Sequence, residues 1–404
     1  MHWLRAAAAV AATFFICGQT SAPPNPVMTH YRAYRTALEA GDLATAETEA
    51  DAALQASVAR SGQGDNTGAL ALNLAQVRLQ RGRVAEAYAP ALQAFEISQN
   101  ASSNVDPLLA RLTLGRAELT DERFRQARER IMPALTEATS RPDLHQDAYN
   151  AAADLGRKMM RENVYVSGAA AWAEALRFAD LIQGETTYIR AEARLGYGIA
   201  QLSHAARSLR IENTRGMDTN MNVNVERTFG PARRALIEAA NIMRPLAHQE
   251  GNTLDLTPAQ SVFAAAVAWR MTLDSFLLSN NYRREYNILR GDAARAAADE
   301  SVSMPASDGR PVCDVNIVVE PEPNFPPQGS AFFSAGGVVV RFMVDEDGRT
   351  RDTRVAAAVP ERWFADAVAS VAPQWRIERT ADAPANCRMP PVVFQSTLFH
   401  FRSL

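Results

Sequence analysis

The chain has 404 residues, 47% of them hydrophobic, so it can bury a sizeable core and is long enough for two or three domains. A formal net charge of -3 with no Lys/Arg stripe argues against a nucleic-acid-binding class, which needs a basic excess.

Residues 1–22 differ from everything after them. Arg5 is positive, Ala6 to Ile16 is apolar apart from Thr13, and small or polar residues run from Gly18 to Ala22. That is the pattern of a secretory signal peptide. An apolar run of this length falls short of the ~20 residues that cross a bilayer, so export is expected rather than anchoring. Cleavage falls after Gly18 or after Ala22, although Pro23 disfavours the second. Ile16 stands where a lipobox needs a small residue, which argues against lipidation at Cys17.

Residues 23–298 read as a helical repeat domain. Ala, Leu, Arg and Glu dominate, and small residues recur at a nearly fixed interval. Gly41 to Ala46 matches Gly82 to Ala87, followed by Glu122 to Ala127 and Tyr165 to Ala170, at spacings of 41, 40 and 43 residues. In each unit a helix precedes the turn and an Ala-rich helix follows it, as in 70–80 and 84–98. These pairs resemble tetratricopeptide repeats of a longer variety, which implies a solenoid whose concave surface binds a peptide or protein. Further helices are expected over 187–209, 229–246 and 257–278, with 281–298 as a cap and the Asn-rich stretch 212–224 as a loop. The aromatic residues Trp172, Phe178, Tyr188, Tyr197 and Trp269 fall within these helices and are expected to pack between repeats.

Residues 299–311 turn small and polar, and Pro305, Gly309 and Pro311 break any helix, so this stretch reads as a linker. Residues 312–404 then read as a small α+β domain. A short strand over 313–319 precedes a proline-rich stretch, Glu320 to Pro327. In Gly336 to Val344, Val338, Val340, Phe342 and Val344 alternate with Val339, Arg341 and Met343, the period of a half-buried strand. Asp347-Gly348 closes a hairpin, since a tight turn needs the positive φ that glycine tolerates. A helix over 361–372, a strand over 374–379 and a final alternating strand over 392–401 complete the domain.

Without the signal, two cysteines remain, Cys313 and Cys387. Two thiols in one small domain of an exported protein are expected to form a disulfide, the alternative being two buried free thiols. No metal or other cofactor is expected. The six histidines, at 2, 30, 145, 204, 248 and 400, form no i, i+4 pair, and neither cysteine has a partner at zinc-ligand spacing. Reading Asp345 to Gly348 as a calcium loop would put Met343 and Arg354 at ligand positions, which excludes it. With no Gly-x-Ser-x-Gly elbow either, the chain reads as a non-enzyme.

The run Pro323-Asn324-Phe325-Pro326, then Gly337-Val338 to Phe342, Val344, Asp347-Gly348-Arg349, Val355, Phe364, Ala367-Val368, Trp375-Arg376 and the closing strand 393–399, resembles the C-terminal domain of TonB over about 80 to 90 residues. The resemblance implies a periplasmic domain of a Gram-negative envelope that captures an extended peptide by adding it to a sheet edge. It further implies partner contact at Glu322, Asn324 and Phe325, with the last strand offering its edge at Gln395 and Thr397. TonB itself has an uncleaved, His-bearing membrane anchor and a long proline-rich spacer, and neither is found here. The expectation is therefore a periplasmic adaptor that binds protein or peptide partners of the cell envelope. Participation in TonB-dependent outer-membrane transport, with an outer-membrane receptor as partner, is one alternative, and an unrecognised envelope hydrolase is the other.

Overall fold

At positions 41, 82 and 163 the backbone turns left-handed, and each time one helix ends there and its partner begins. The residues are Gly41 (φ 76°), Gly82 (φ 74°) and Asn163 (φ 58°), the types that take this conformation at least cost. Their amides donate to the carbonyls of Leu38, Leu79 and Met160. The next amides, of Asp42, Arg83 and Val164, reach back to Ala37, Arg78 and Met159 at 2.9, 2.8 and 2.9 Å. This crossed pair of bonds satisfies carbonyls that a helix C-terminus otherwise leaves open.

The computed structural model describes residues 25–100, 102–184, 187–214, 225–247, 256–279, 311, 313, 315–318, 321–324, 335–345, 347–359, 363–389 and 392–400. The expected signal peptide, the expected cap at 281–298 and the expected linker up to residue 310 lie outside the described residues. The chain forms two compact units, the first ending at Gly184 and the second beginning at Glu185. Described residues form twelve α-helices, together with a small strand region near the C-terminus.

The first unit contains α1 (Pro26–Glu39), α2 (Leu43–Ser61), α3 (Asp65–Gln80), α4 (Val84–Ser98), α5 (Pro107–Ala117), α6 (Phe124–Ala138), α7 (His145–Arg161) and α8 (Tyr165–Leu181). Each helix packs on the next, and α5 also packs on both α3 and α7. Close packing is possible because the fourth residue of each second helix is small and buried: Ala46, Ala87, Ala127 and Gly168. Here the structure corrects the sequence alignment of the fourth pair. Gly168, and not the exposed Ala170, occupies the small position, which restores an interval of 41 residues. Trp172 and Phe178 are buried between helices, as expected. The turn between α5 and α6 has no left-handed residue. Glu118 instead accepts two hydrogen bonds from Arg130 Nε and Nη2, at 2.8 and 3.0 Å, and holds the turn from within.

The second unit contains α9 (Thr187–Thr214), α10 (Val225–Ala247), α11 (Pro258–Ser279), β1 (Val315–Val318), β2 (Ala335–Val344), β3 (Thr350–Val359), α12 (Trp363–Ala369), β4 (Arg376–Arg379) and β5 (Val392–His400). Helix α9 runs five residues further than its sequence pattern, into the stretch read as a loop. The strands form an antiparallel three-stranded sheet in the order β3-β2-β5 and an antiparallel β1-β4 pair. Gly348 (φ 77°) closes the β2–β3 hairpin, while Asp345 Oδ1 accepts from the amides of Asp347 and Arg349 at 3.0 and 2.8 Å.

The two faces of β2 follow the predicted alternation. Val338, Val340 and Phe342 enter a core with Phe364, Val368, Trp375 and Ile377, and the Phe342 and Trp375 rings meet edge to face. On the other face Val339 packs on Ala264 and Ala268 of α11. The strand is therefore buried on both faces rather than half-buried, because a helix more than sixty residues upstream covers the second one. That role also accounts for the composition of α11. Among the described residues it alone is long and apolar enough to cross a membrane, at mean hydropathy 1.3 over Pro258–Leu278. It packs on α9, α10 and all three strands.

Two positions control this seat. A Cβ on Gly337 would lie 2.3 Å from Ala268 O and 2.8 Å from Thr272 N. Gly337→Ala is expected to destabilise the second unit by roughly 1–3 kcal/mol, the range for overpacking, and an unchanged denaturant midpoint would contradict the contact. Between α10 and α11, Arg233 Nε donates to Asp274 Oδ1 at 2.9 Å, and both residues are buried. Arg233→Ala leaves the Asp274 carboxylate buried without that partner. The expected loss is about 3–5 kcal/mol in chemical denaturation, and a loss under about 1 kcal/mol would show that solvent reaches the pair.

Candidate functional site

The sheet edges differ in what they offer to another chain, and the difference starts in sequence. Strand β3 carries Arg351, Asp352 and Arg354, all exposed. Its pairing with β2 shifts register twice, between Val339 and Val340 and again between Arg341 and Met343, and Asp352 sits at φ 47°. Just before it, Arg349 bridges to Arg376 of β4. Charges, irregular register and a neighbouring strand are the features that discourage pairing at an edge.

Strand β5 has none of them. It pairs with β2 over nine consecutive residues, from Ala335 with His400 to Met343 with Val392, without a shift. Residues 392–399 carry no charge and no proline. In the sheet order β5 is terminal, so no described strand lies beyond it. Gln395 and Thr397, expected at a binding edge, stand in this strand opposite Val340 and Val338.

Glu322 and Asn324 are exposed and make no hydrogen bond or ion pair among the described residues, whereas Phe325 lies outside them. Their segment is anchored just upstream, where Trp375 Nε1 donates to Pro321 O at 3.1 Å. Among the described residues, no hydrogen bond or ion pair joins Glu322 or Asn324 to β5. The β1-β4 pair extends into a clip in which Cys313 N donates to Arg388 O and Arg388 N donates to Pro311 O, at 2.8 and 3.0 Å. The sulfurs of Cys313 and Cys387 are 2.02 Å apart, so the expected disulfide is present.

Beside β5 lies a feature that sequence reasoning missed. A cleft of about 160 Å³ opens between α10, α11 and the strands, lined by Ile237, Ala240, Asn241, Arg244, Phe263, Val267, Arg270, Val339, Phe394 and Ser396. It draws on β2 and β5 but not on β3, which places it on the β5 side of the sheet. Phe263 and Phe394 meet edge to face with ring centres 5.6 Å apart. Arg270 Nη2 lies 3.9 Å from Met271 Sδ. Arg244 is half-buried and makes no ion pair among the described residues. The lining contains two guanidinium groups and an amide but no carboxylate, imidazole or thiol. Such a site can hold an anion against an aromatic floor, and it has no acid–base pair for hydrolysis.

One signal could have found it. Arg270 is the single basic residue of the largely apolar helix α11, whose one acid, Asp274, is paired with Arg233, and an arginine there needs a polar neighbour or an open cleft. In the first unit, a wider concavity of about 680 Å³ follows one face of α4 with Gln63, and Gln93 Nε2 donates to Gln63 Oε1 at 2.7 Å. Its lining includes one carboxylate, Glu96, and no cation. Among the described residues, no group of three or more His, Cys, Asp or Glu is arranged to hold a metal.

No protein-family model matches the chain, and no curated protein matches it.

The disulfide closes a loop with a sequence separation of 74. Reduction is expected to lower the stability of the second unit by about 4 kcal/mol on the chain-entropy account, comparing denaturant unfolding of the oxidised and reduced chains. Coincident unfolding curves would show that the β1-β4 clip holds without it.

Proposed function

We propose that this chain is an exported protein-binding adaptor of a bacterial cell envelope. Its tetratricopeptide-like helix pairs hold one partner, and its TonB-like end domain holds an extended segment by β-strand addition at β5. The observation that carries this reading is the asymmetry between the edges. Strand β3 is bent and charged, whereas β5 is long, regular in register and uncharged. A stable exported protein with such an edge must cover it or use it, because its open N–H and C=O groups are a template for another strand. The helix hairpins repeating every 40 or 41 residues support the repeat half of the reading.

Photocrosslinking tests the edge directly. With a photoreactive residue at Gln395 in the full chain, in intact cells, the expected adduct is an extended segment of an envelope protein. The same group placed at Arg354 on β3 is expected to give none. Adducts at Arg354 and none at Gln395 would reverse the assignment of the edges. If the captured proteins are outer-membrane receptors, the adaptor serves transport. If they are soluble assembly factors, the end domain serves as an adaptor alone.

A further inference from the structure

We infer that the cleft beside β5 selects a partner strand with an acidic side chain, and that Arg244 reads that carboxylate. This inference rests on β5 being the binding edge. A strand added to β5 would run about 4.8 Å beyond it, with alternate side chains on the face covered by α11. That is the face onto which the cleft opens, since Val339 and Phe394 line it and both pack toward α11. Helix α10 overhangs this side of the sheet and supplies Asn241 and Arg244 to the cleft.

Charge then narrows the occupant. Two buried or half-buried arginines of α9 and α10 are matched within the protein: Arg194 pairs with Glu238, and Arg233 with Asp274. Arg244 stands half-buried over an apolar floor, in a lining that holds no acid. A guanidinium so placed offers a forked donor to a carboxylate, and a site with little water strengthens the pair. Phe263 and Phe394 leave room for the aliphatic stem of such a side chain, so a glutamate or aspartate within an extended, otherwise neutral segment satisfies both parts of the cleft.

The test uses the full oxidised chain and two fluorescein-labelled, C-amidated hexapeptides of alternating Thr and Val, one with a central Glu and one with Gln in its place. Fluorescence anisotropy gives both affinities. The Glu peptide is expected to bind about tenfold tighter, as one charge-assisted hydrogen-bonded pair provides. Arg244→Gln is expected to remove the preference and leave the Gln peptide unchanged, with an unaltered melting temperature showing that the fold is intact. The preference should also vanish as pH falls through about 4.3, where the peptide's Glu takes up a proton. Equal binding of both peptides would overturn the carboxylate reading and leave the edge assignment standing. If neither peptide binds and neither slows amide exchange in β5, the edge assignment fails and the inference fails with it. A Gln peptide that matches the Glu peptide only when its C-terminus is a free acid would assign the cleft to a chain terminus. Self-association that excludes both peptides would assign the edge to a second copy, and either result overturns the inference.

Discussion

The second unit depends on the approach of α11 to β2 with almost nothing between them. Gly337 allows the strand backbone to meet the helix at Ala268 and Thr272. Thr272 Oγ1 lies 2.9 Å from Ala268 O and 3.0 Å from Val359 O, joining the helix to the end of β3. A three-stranded sheet with one bare apolar face would be marginal in water, whereas a sheet covered on both faces is a core. Once α11 is seated, the Arg233–Asp274 pair sets α10 against it. The cleft over β5 follows from that placement.

Charged residues in the first unit have a different task, that of holding turns and helix pairs. Glu47 is buried and accepts from Arg78 Nε at 3.0 Å and from Arg83 Nη1 at 2.6 Å, with Arg81 a third donor. Burial pushes its carboxyl up, but the hydrogen bonds from Arg83, Arg78 and Arg81 outweigh it and hold the group below its ordinary value. Asp154 is likewise desolvated, yet Arg116 and Arg157 keep it below the usual carboxylate range. Arg177, Arg130 and Arg123 lie over the rings of Phe178, Phe95 and Tyr88. These groups are spent on structure: Glu47 and Asp154 are each held in ion pairs with two or more arginines.

In the second unit a clip fastens the β1-β4 pair, while β5 ends the three-stranded sheet. Cys313, Cys387 and the Trp375 contact with Pro321 fasten the β1-β4 side, where the chain would otherwise fray. Strand β5 is left regular, and its face toward α11 is lined by residues from two helices. A partner strand would meet backbone donors along its length and the cationic cleft at one side chain, so pairing and selection would come from different parts of the molecule.

Much of this was legible in the sequence because it is local. The turn at Asp347-Gly348, the alternation along Val338 to Val344, the paired cysteines and the near-41-residue interval each depend on residues close together or on chemistry with one partner. The alternation even assigns the two faces of β2 correctly. It does not say that both are buried, because the cover for the second face lies in α11, whose apolar pattern reads equally well as another repeat helix. For the same reason Glu322, Asn324 and the strand bearing Gln395 and Thr397 could be named from a resemblance, while Arg244, Arg270, Phe263 and Asn241 could not. Periodicity places a side chain on a face of its own helix, and only tertiary packing decides which distant strand that face meets.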